Sequence, residues 1–596
     1  MKSIRRIVSL LLPVCMLLAI AACSNSGNNS QPTPSPTSSP GGQPVQAAPL
    51  STEPQYGGSA TFYSEELKAI FDPSMDDSYS YALWFEGLWS IDWAGQDFGF
   101  KSKYITYDHL AGQIADTWEF DEEAAVLTVN LRQDVYFQDK APYNGRQLTA
   151  KDVEWSFCRL LGLNGYPKVE TTGNANWAVS LSNLAGVTVL DDYTIQFQLN
   201  TPTEVALNTF MTVGASVNIG GPEWDELTPE QQSSVDYAAG TGPYILKELS
   251  VDNYAIFEKN PNYYDYDERY PENRLPYLDT IKLVYIADSA NILTQFIAGE
   301  LDYIGWRSNL LSASQRSQLE SALDSSAYTR YPYDTGPMSI GVKMNTEPFN
   351  DVRVRRAMQM AIDLNTTTVY TTGEPSPKVV VPGLWSTAMV DCTSVGSGTW
   401  GEEITSQFSY DVEGAKELLA AAGYPNGFEF TIVLPPVADT DLYMLAKNYL
   451  AAVGITMNIE TVSTVPELMP IQANPEDSRA YFSGIVGTDS ISGAVTNLFV
   501  PNGVSYGFFY EDTEEGKQFI DLLYNMVEAT ELDKFNEYAR AADQLFAEQR
   551  WAIALAGNSY VYDYMSSHIG GYTGEKVKAN LNMRTIYARL WSTTGT

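Results

Sequence analysis

The chain has 596 residues, with 36 Lys and Arg against 73 Asp and Glu, a formal net charge of −37 and 44% hydrophobic residues. That apolar fraction sustains packed cores and excludes global disorder, and the length suits several domains or one large two-lobed body. Such an acidic chain repels phosphate backbones, which argues against nucleic-acid binding, and no apolar run past residue 22 is long enough for a multi-pass membrane protein.

The first six residues carry Lys2, Arg5 and Arg6 and no acid, and Ile7 to Ala22 follows as 16 mostly apolar residues. A spanning helix needs about 20, so residues 1–22 read as a signal peptide. They end in Ile20-Ala21-Ala22 before Cys23. Small residues directly before a Cys resemble the bacterial lipobox, in which the Cys23 thiol is acylated and becomes the new N-terminus. The alternative is an ordinary signal peptide that happens to meet a Cys. Cleavage deepens the net charge from −37 to −40, because it removes three basic residues and no acid. Residues 23–55 are rich in Ser, Pro, Asn, Thr and Gln, too poor in apolar surface to order, and are expected to form a disordered tether. A flexible chain of that length spans about 30 Å, and an extended polyproline-like one up to about 100 Å. The expected location is therefore the outer face of the cell membrane, or its periplasmic side in an organism with an outer membrane. Two or more acyl chains would hold the protein there.

The body then mixes strands and helices. Thr149 is expected to cap a helix with Asp152 three residues on, burying Val153, Phe157, Leu160 and Leu161. A second helix starts near Asn350-Asp351, with Val354, Met358, Ala361 and Ile362 on its apolar face and Arg353, Arg355 and Arg356 mostly turned elsewhere. From 411 to 460 the pattern is clearest. Asp411 caps a helix carrying Ala415, Leu418, Leu419 and Ala422, and Phe428, Phe430, Ile432 and Leu434 alternate as a strand. Leu442, Leu445, Ala446, Tyr449, Leu450 and Val453 form the next helix face, and Ile455, Met457 and Ile459 alternate again. A strand–helix–strand crossover implies a parallel sheet, and open α/β sheets take ligands outside the carboxyl ends of their strands.

Eight motifs in order resemble the family 5 extracellular solute-binding proteins of ABC importers, the oligopeptide- and dipeptide-binding-protein-like group. They are Phe71-Asp72-Pro73, Phe85-Glu86-Gly87-Leu88, Leu131-Arg132 with the run Asn144 to Phe157, Gly240-Thr241-Gly242-Pro243-Tyr244, Asn260-Pro261-Asn262-Tyr263-Tyr264, Gly299-Glu300-Leu301-Asp302, Pro348 to Arg355, and Ala361-Ile362-Asp363. The resemblance runs from Tyr56 to about residue 590. It implies an α/β, two-lobed, periplasmic-binding-protein-like fold (type II, with an extra inserted domain) and a hinged cleft. It places lobe I at 56–80, 180–305 and 553–596, the inserted domain at 81–179 and lobe II at 306–552. It further implies capture of an oligopeptide, no catalysis and no cofactor, and delivery to ABC permease subunits with their ATPases.

Candidate ligand residues follow from aromatic and charge placement. Tyr, at 38, outnumbers Lys and Arg together, and Trp is 12. Aromatic faces suit peptide side chains and sugar rings alike. Trp89, near the Glu86 element, and Trp306, after the Gly299–Asp302 element, are candidates for the cleft, with core packing as the alternative for each. Peptide-binding members of the family carry an acidic anchor for the α-amino group in a W-x-x-D segment. The corresponding stretch here supplies Asp489 but has Ile485 in place of Trp, and Asp489 as a turn cap is the competing reading. That weakened anchor keeps an oligosaccharide ligand open. Gly503-Val504-Ser505-Tyr506-Gly507 fits the nucleophile-elbow pattern, yet Pro501-Asn502 before it and Phe508-Phe509 after it suit neither strand nor helix. Ser505 hydrolysis is thus set below a cleft loop that offers Tyr506 to ligand. Gly240-Thr241-Gly242-Pro243 lacks the third Gly and the Lys of a phosphate loop and reads as a tight turn, with glycine permitting unusual φ. With only His109 and His568, a His-based metal centre is not expected, and a metal-chelate or haem carrier ranks last. Cys158 and Cys392 are too few for a disulfide framework.

Overall fold

Alternating and amphipathic runs become strands and helices in chain order in the computed structural model. It describes residues 52–64, 67, 69, 71–74, 83–92, 107, 110–169, 181–286, 289–304, 311, 313–334, 338–373, 379, 400–436, 438–484, 507–557, 560–572 and 586–594, all in one unit of residues 49–596. The signal segment, Cys23 and the tether to residue 51 lie outside the described residues.

The principal strands are β1 (Ser59–Ser64), β2 (Ala115–Asp121), β3 (Val126–Leu131), β4 (Leu184–Asp191), β5 (Thr194–Leu199), β6 (Tyr244–Ser250), β7 (Tyr254–Lys259), β8 (Thr280–Tyr285), β9 (Tyr303–Ile304), β10 (Tyr328–Asp334), β11 (Met338–Gly341), β12 (Glu429–Leu434), β13 (Thr456–Thr461), β14 (Ala480–Gly484), β15 (Ala552–Ala554) and β16 (Tyr560–Ser566). The principal helices are α1 (Ala150–Leu161), α2 (Glu204–Gly214), α3 (Ser289–Ile297), α4 (Ala313–Ala322), α5 (Val352–Met360), α6 (Leu364–Thr372), α7 (Val412–Ala421), α8 (Thr440–Ala451), α9 (Val465–Ala473), α10 (Glu514–Val527) and α11 (Leu532–Gln549).

Three sheets carry the architecture. A seven-stranded sheet has the order β10-β16-β9-β1-β8-β7-β6, a five-stranded sheet β13-β12-β14-β11-β15, and a four-stranded sheet β2-β3-β5-β4. The four-stranded sheet is antiparallel throughout, and its buried Leu127, Val129, Ile195 and Phe197 form one face. The capped helix α1 belongs to the same core through Val153, Phe157 and Leu160. Asp152 Oδ2 accepts from Thr149 N at 2.8 Å as the cap requires, and Arg146 binds the same carboxylate through Nη1 and Nη2 at 2.9 and 2.6 Å.

The crossover read at 411–460 is present. Asp411 accepts from Gly414 N at the start of α7, and β12 pairs with β13 in parallel, Phe430 opposite Met457 and Ile432 opposite Ile459. Leu442, Ala446 and Leu450 of α8 share one core with Ile432, Leu434, Met457 and Trp551.

Two details differ from expectation. In α5 and just after it, Val354, Met358, Ala361 and Ile362 are buried as read, but Arg355 is buried too, at 3% exposure. Its Nε donates to Gln549 O at 2.8 Å and its Nη1 to Phe349 O at 2.7 Å, so one backbone carbonyl at the carboxyl end of α11 and one just before α5 draw the guanidinium inward. Sheet membership also departs from the expected segment limits. Strand β10, placed by sequence in 306–552, pairs with β16 in the seven-stranded sheet, while β4 and β5, beyond residue 179, complete the four-stranded sheet. Each strand follows its hydrogen-bonding partner rather than its sequence neighbours.

Candidate ligand cleft

Strand polarity locates the site. In the seven-stranded sheet β1 runs parallel to β8 and β9, and β16 runs antiparallel to both β9 and β10. The carboxyl ends of β1, β8, β9 and β10 therefore share one edge. In the five-stranded sheet β12, β13 and β14 are parallel, and β11 is antiparallel to β14 and β15. The carboxyl ends of β12 to β15 and the amino end of β11 share one edge there as well.

Two strand pairs join these edges. β10 and β16 pair up to Asp334 opposite Tyr560, β11 and β15 pair from Ser339 opposite Ala554, and Leu555 N donates to Met338 O at 2.9 Å. The chain thus crosses twice, side by side, from the carboxyl edge of one sheet to the carboxyl edge of the other. Both edges where α/β sheets take ligands meet at this crossing.

Around the crossing the halves are tied by α6. Its final carbonyls accept from the first half: Thr371 O from Arg316 Nη2 at 2.8 Å and Thr372 O from Tyr562 OH at 3.0 Å. Gly557 N donates to Thr368 Oγ1 at 2.8 Å. The Tyr562 ring lies 5.3 Å from the Arg316 guanidinium and 4.6 Å from that of Arg330, which pairs with Glu320 at 2.9 Å. Away from the crossing, Glu204 N at the start of α2 donates to Thr530 O at 3.2 Å, and Val205 is buried in the core of the five-stranded half.

Two of the four candidate ligand residues fall next to these edges in sequence. Trp306 follows the end of β9 by two residues and Asp489 the end of β14 by five; both, with Tyr506 and Ser505, lie outside the described residues. Trp89 is described. It stands in the short strand Trp89–Ile91, has 0% exposure, and packs at 6.2 Å centroid distance edge-on to both Trp118 and Phe210. This is a core position of the four-stranded half, and a ligand reaches it only by displacing that packing. Sequence reasoning passed over Ser64 and Tyr285, half-buried partners at the carboxyl ends of β1 and β8. Only the long-range pairing of these strands exposes them as edge residues.

The motif residues prove architectural. Glu86 Oε1 accepts from Gln113 Nε2 at 2.9 Å, Tyr263 OH at 2.7 Å and Tyr264 OH at 3.2 Å, so two sequence motifs meet on one carboxyl. Burial pushes this carboxyl up to about 7, against the opposing pull of Thr241, Tyr263 and Tyr264. Asp302 Oδ2 accepts Thr61 N at 2.8 Å and seats β9 on β1; burial raises its carboxyl, with the Thr61 bond opposing. Asp72 is bound by Arg159 Nη1 and Nη2, each at 2.7 Å. Gly240 and Gly242 are needed for close approach rather than for unusual φ: a β-carbon on either collides with the Trp84 backbone, whose carbonyl accepts Gly242 N at 2.9 Å. Cys158 is free and buried, its thiol pushed up to about 12 by burial. Among the described residues no group of three or more His, Cys, Asp or Glu is arranged to hold a metal ion, and no helix is long and apolar enough to cross a membrane.

The model of the bacterial extracellular solute-binding proteins, family 5 middle region, matches residues 109–548. The heme-binding protein A of Haemophilus influenzae is 26% identical over 343 residues, 54% of this chain and 56% of that protein. The oligopeptide-binding protein AmiA of Streptococcus pneumoniae is 23% identical over 471 residues, 68% of this chain and 66% of that protein. The chain thus aligns with less than two thirds of the length of each of these relatives. Among solved structures, the periplasmic binding protein DppA of Helicobacter pylori in complex with the peptide STSA superposes with a TM-score of 0.63 at 21% identity, covering 90% of this chain and 98% of that one. The shared fold is the two-lobed periplasmic-binding-protein type.

Proposed function

The chain belongs to the family 5 bacterial extracellular solute-binding proteins, and we propose that it is the lipid-anchored receptor of an ABC importer, capturing an oligopeptide between its lobes. The observation that carries this reading is the meeting of two carboxyl sheet edges around paired crossing strands, the layout of a hinged trap. Relatives named for oligopeptide binding and for a peptide complex support the ligand class. Lobe I is built on the seven-stranded sheet, the inserted domain on the four-stranded sheet and lobe II on the five-stranded sheet. The lobe limits then follow the strands, falling between β10 and β11 and between β15 and β16.

The ligand is held by backbone bonds at the strand ends and by Trp306, Asp489 and Tyr506 from segments beside them, in a cleft that closes over it. No bond is made or broken, and the closed form is read by membrane permease subunits with their ATPases. Acylated Cys23 and the tether hold the receptor at the outer face of the membrane.

Calorimetry and thermal shift against a pool of short peptides test the ligand class. Heat and a raised melting temperature at millimolar peptide support it. No response to peptides together with a shift by oligosaccharides assigns the same receptor role to a sugar. For the anchor, Cys23→Ala is expected to move the protein from the membrane to the medium or periplasmic fraction, and retention on the membrane refutes the anchor.

A further inference from the structure

The chain that leads from α11 into the second crossing is held along its length by polar side chains of α5 and α6. On α5, Arg355 Nε donates to Gln549 O at 2.8 Å. One turn further along the same face, Gln359 binds Ala554 twice: its Oε1 accepts from Ala554 N at 2.9 Å and its Nε2 donates to Ala554 O at 3.0 Å. On α6, Thr368 Oγ1 accepts from Gly557 N at 2.8 Å. Gln359 and Thr368 have 0% exposure, and so do Leu555 and Ala556 between the two bound positions.

Strand β15 is the last of its sheet and has β11 on one side only. The peptide groups on its open side are buried and need partners. A glutamine amide offers one acceptor and two donors, so Gln359 stands where a further strand would pair. Leu555 N returns to the sheet through Met338 O at 2.9 Å, and Thr368 takes over where the ladder ends. Three elements of the five-stranded half, β11, α5 and α6, thus hold Ala554 to Gly557. Only Asn558 and Ser559 then separate Gly557 from Tyr560, the first residue of β16. A hinge gives one closed arrangement only when few torsions are free to turn, so fastening the crossing chain to one body sharpens the fit of the two lobes.

We infer that Gln359 and Thr368 are positioning residues for ligand capture: they fasten the second crossing to lobe II as far as Gly557, so that Ala554 to Gly557 moves as part of lobe II when the cleft opens and closes. This rests on the hinged-trap reading above and names the side chains that set its register.

Two measurements on the full chain test this, and neither needs a ligand. In hydrogen exchange, the Gly557 amide of the unaltered protein is expected to exchange about 100-fold or more slower than a free amide. Thr368→Ser keeps the hydroxyl and should keep that protection, whereas Thr368→Val should lose most of it. A Gly557 amide that exchanges freely in the unaltered protein, or stays equally protected in Thr368→Val, overturns the clamp. Spin labels on Gln318→Cys in α4 and Glu417→Cys in α7, both exposed positions, report the distance between the lobes. Its distribution should widen about twofold in Gln359→Leu and in Thr368→Val and stay narrow in Thr368→Ser. Unchanged widths in both apolar variants would reduce these bonds to local packing and overturn the positioning role. If Gln359→Leu does not fold, Thr368→Val decides. Failure of the unaltered protein to bind a pool of short peptides would refute the ligand reading and leave both of these results standing.

Discussion

Glu86 is a buried titrating group of the first half, and its replacement by Gln tests whether the carboxyl is held neutral. Burial raises it from 4.5 to about 7. A raised acid stabilises the fold fully below about pH 4.5, where both states hold the proton. The contribution is lost as pH rises toward 7, because the unfolded chain releases its proton first. The gap between the two values corresponds to about 3 kcal/mol in total, of which about 2 to 3 kcal/mol falls between pH 5 and pH 8. Glu86→Gln keeps an oxygen for Gln113, Tyr263 and Tyr264, all of which bond to Oε1, and removes the titration. Denaturant unfolding of both proteins at pH 5 and pH 8 isolates the effect as a difference of differences. The variant should match the parent near pH 5 and exceed it by about 2 kcal/mol at pH 8. Parallel pH curves, or a variant less stable at pH 8, would show that Glu86 is ionised in the folded state and refute the reasoning.

Other perturbations follow from the same motif contacts. Asp72→Ala removes the buried carboxylate of the Arg159 guanidinium, leaving it Ser74 Oγ and the half-exposed Asp225, each at 3.1 Å, and should cost about 3 kcal/mol in chemical denaturation. Gly240→Ala sets a β-carbon against the Trp84 carbonyl and should cost about 3 kcal/mol, whereas Gly186→Ala, with open space around it, should cost less than 1 kcal/mol on the same measurement. Lys343→Met leaves the carbonyls of Ile471, Asn474 and Asp477 without their shared donor. Its expected cost is about 2 kcal/mol, read as a lowered denaturation midpoint with an unchanged slope.

Local periodicity was legible and long-range pairing was not. The α7–β12–α8–β13 unit could be read residue by residue, because each apolar face lies within one helix or strand and both caps are local. Arg355 was misplaced because its partner, Gln549 O, is 194 residues away and a helical wheel shows only the side it faces. The membership of β10 in the seven-stranded sheet was hidden for the same reason, since its partner strand is β16. At the cleft, resemblance to the family's motifs drew attention to the segments that carry Trp306 and Asp489. The same reasoning placed Trp89 by its nearness to the Glu86 motif, and proximity in sequence to a buried carboxyl marks a core position as readily as a cleft. Glycines 240 and 242 carried a strong signal with the wrong cause, because a pattern of small residues does not distinguish φ freedom from backbone contact.

The two kinds of contact between the halves differ in what opening would cost, and this yields a final test. At the crossing, α6 is tied by Tyr562 and Gly557, both within a few residues of the pivot, and by Arg316, whose guanidinium packs on the Tyr562 ring, so a rotation there moves these atoms least. At the start of α2 the tie is the bond from Glu204 N to Thr530 O together with buried Val205, remote from the pivot. A rotation separates remote contacts first, so this contact sets the balance between closed and open forms. Val205→Asp places a charge in that apolar contact and should raise the radius of gyration of the ligand-free protein in small-angle X-ray scattering while leaving secondary structure intact. Tyr562→Phe removes a bond worth about 1 kcal/mol at the pivot and should lower stability without changing the scattering. If Val205→Asp left the scattering curve unchanged and Tyr562→Phe expanded it, the pivot and the latch would have to exchange places.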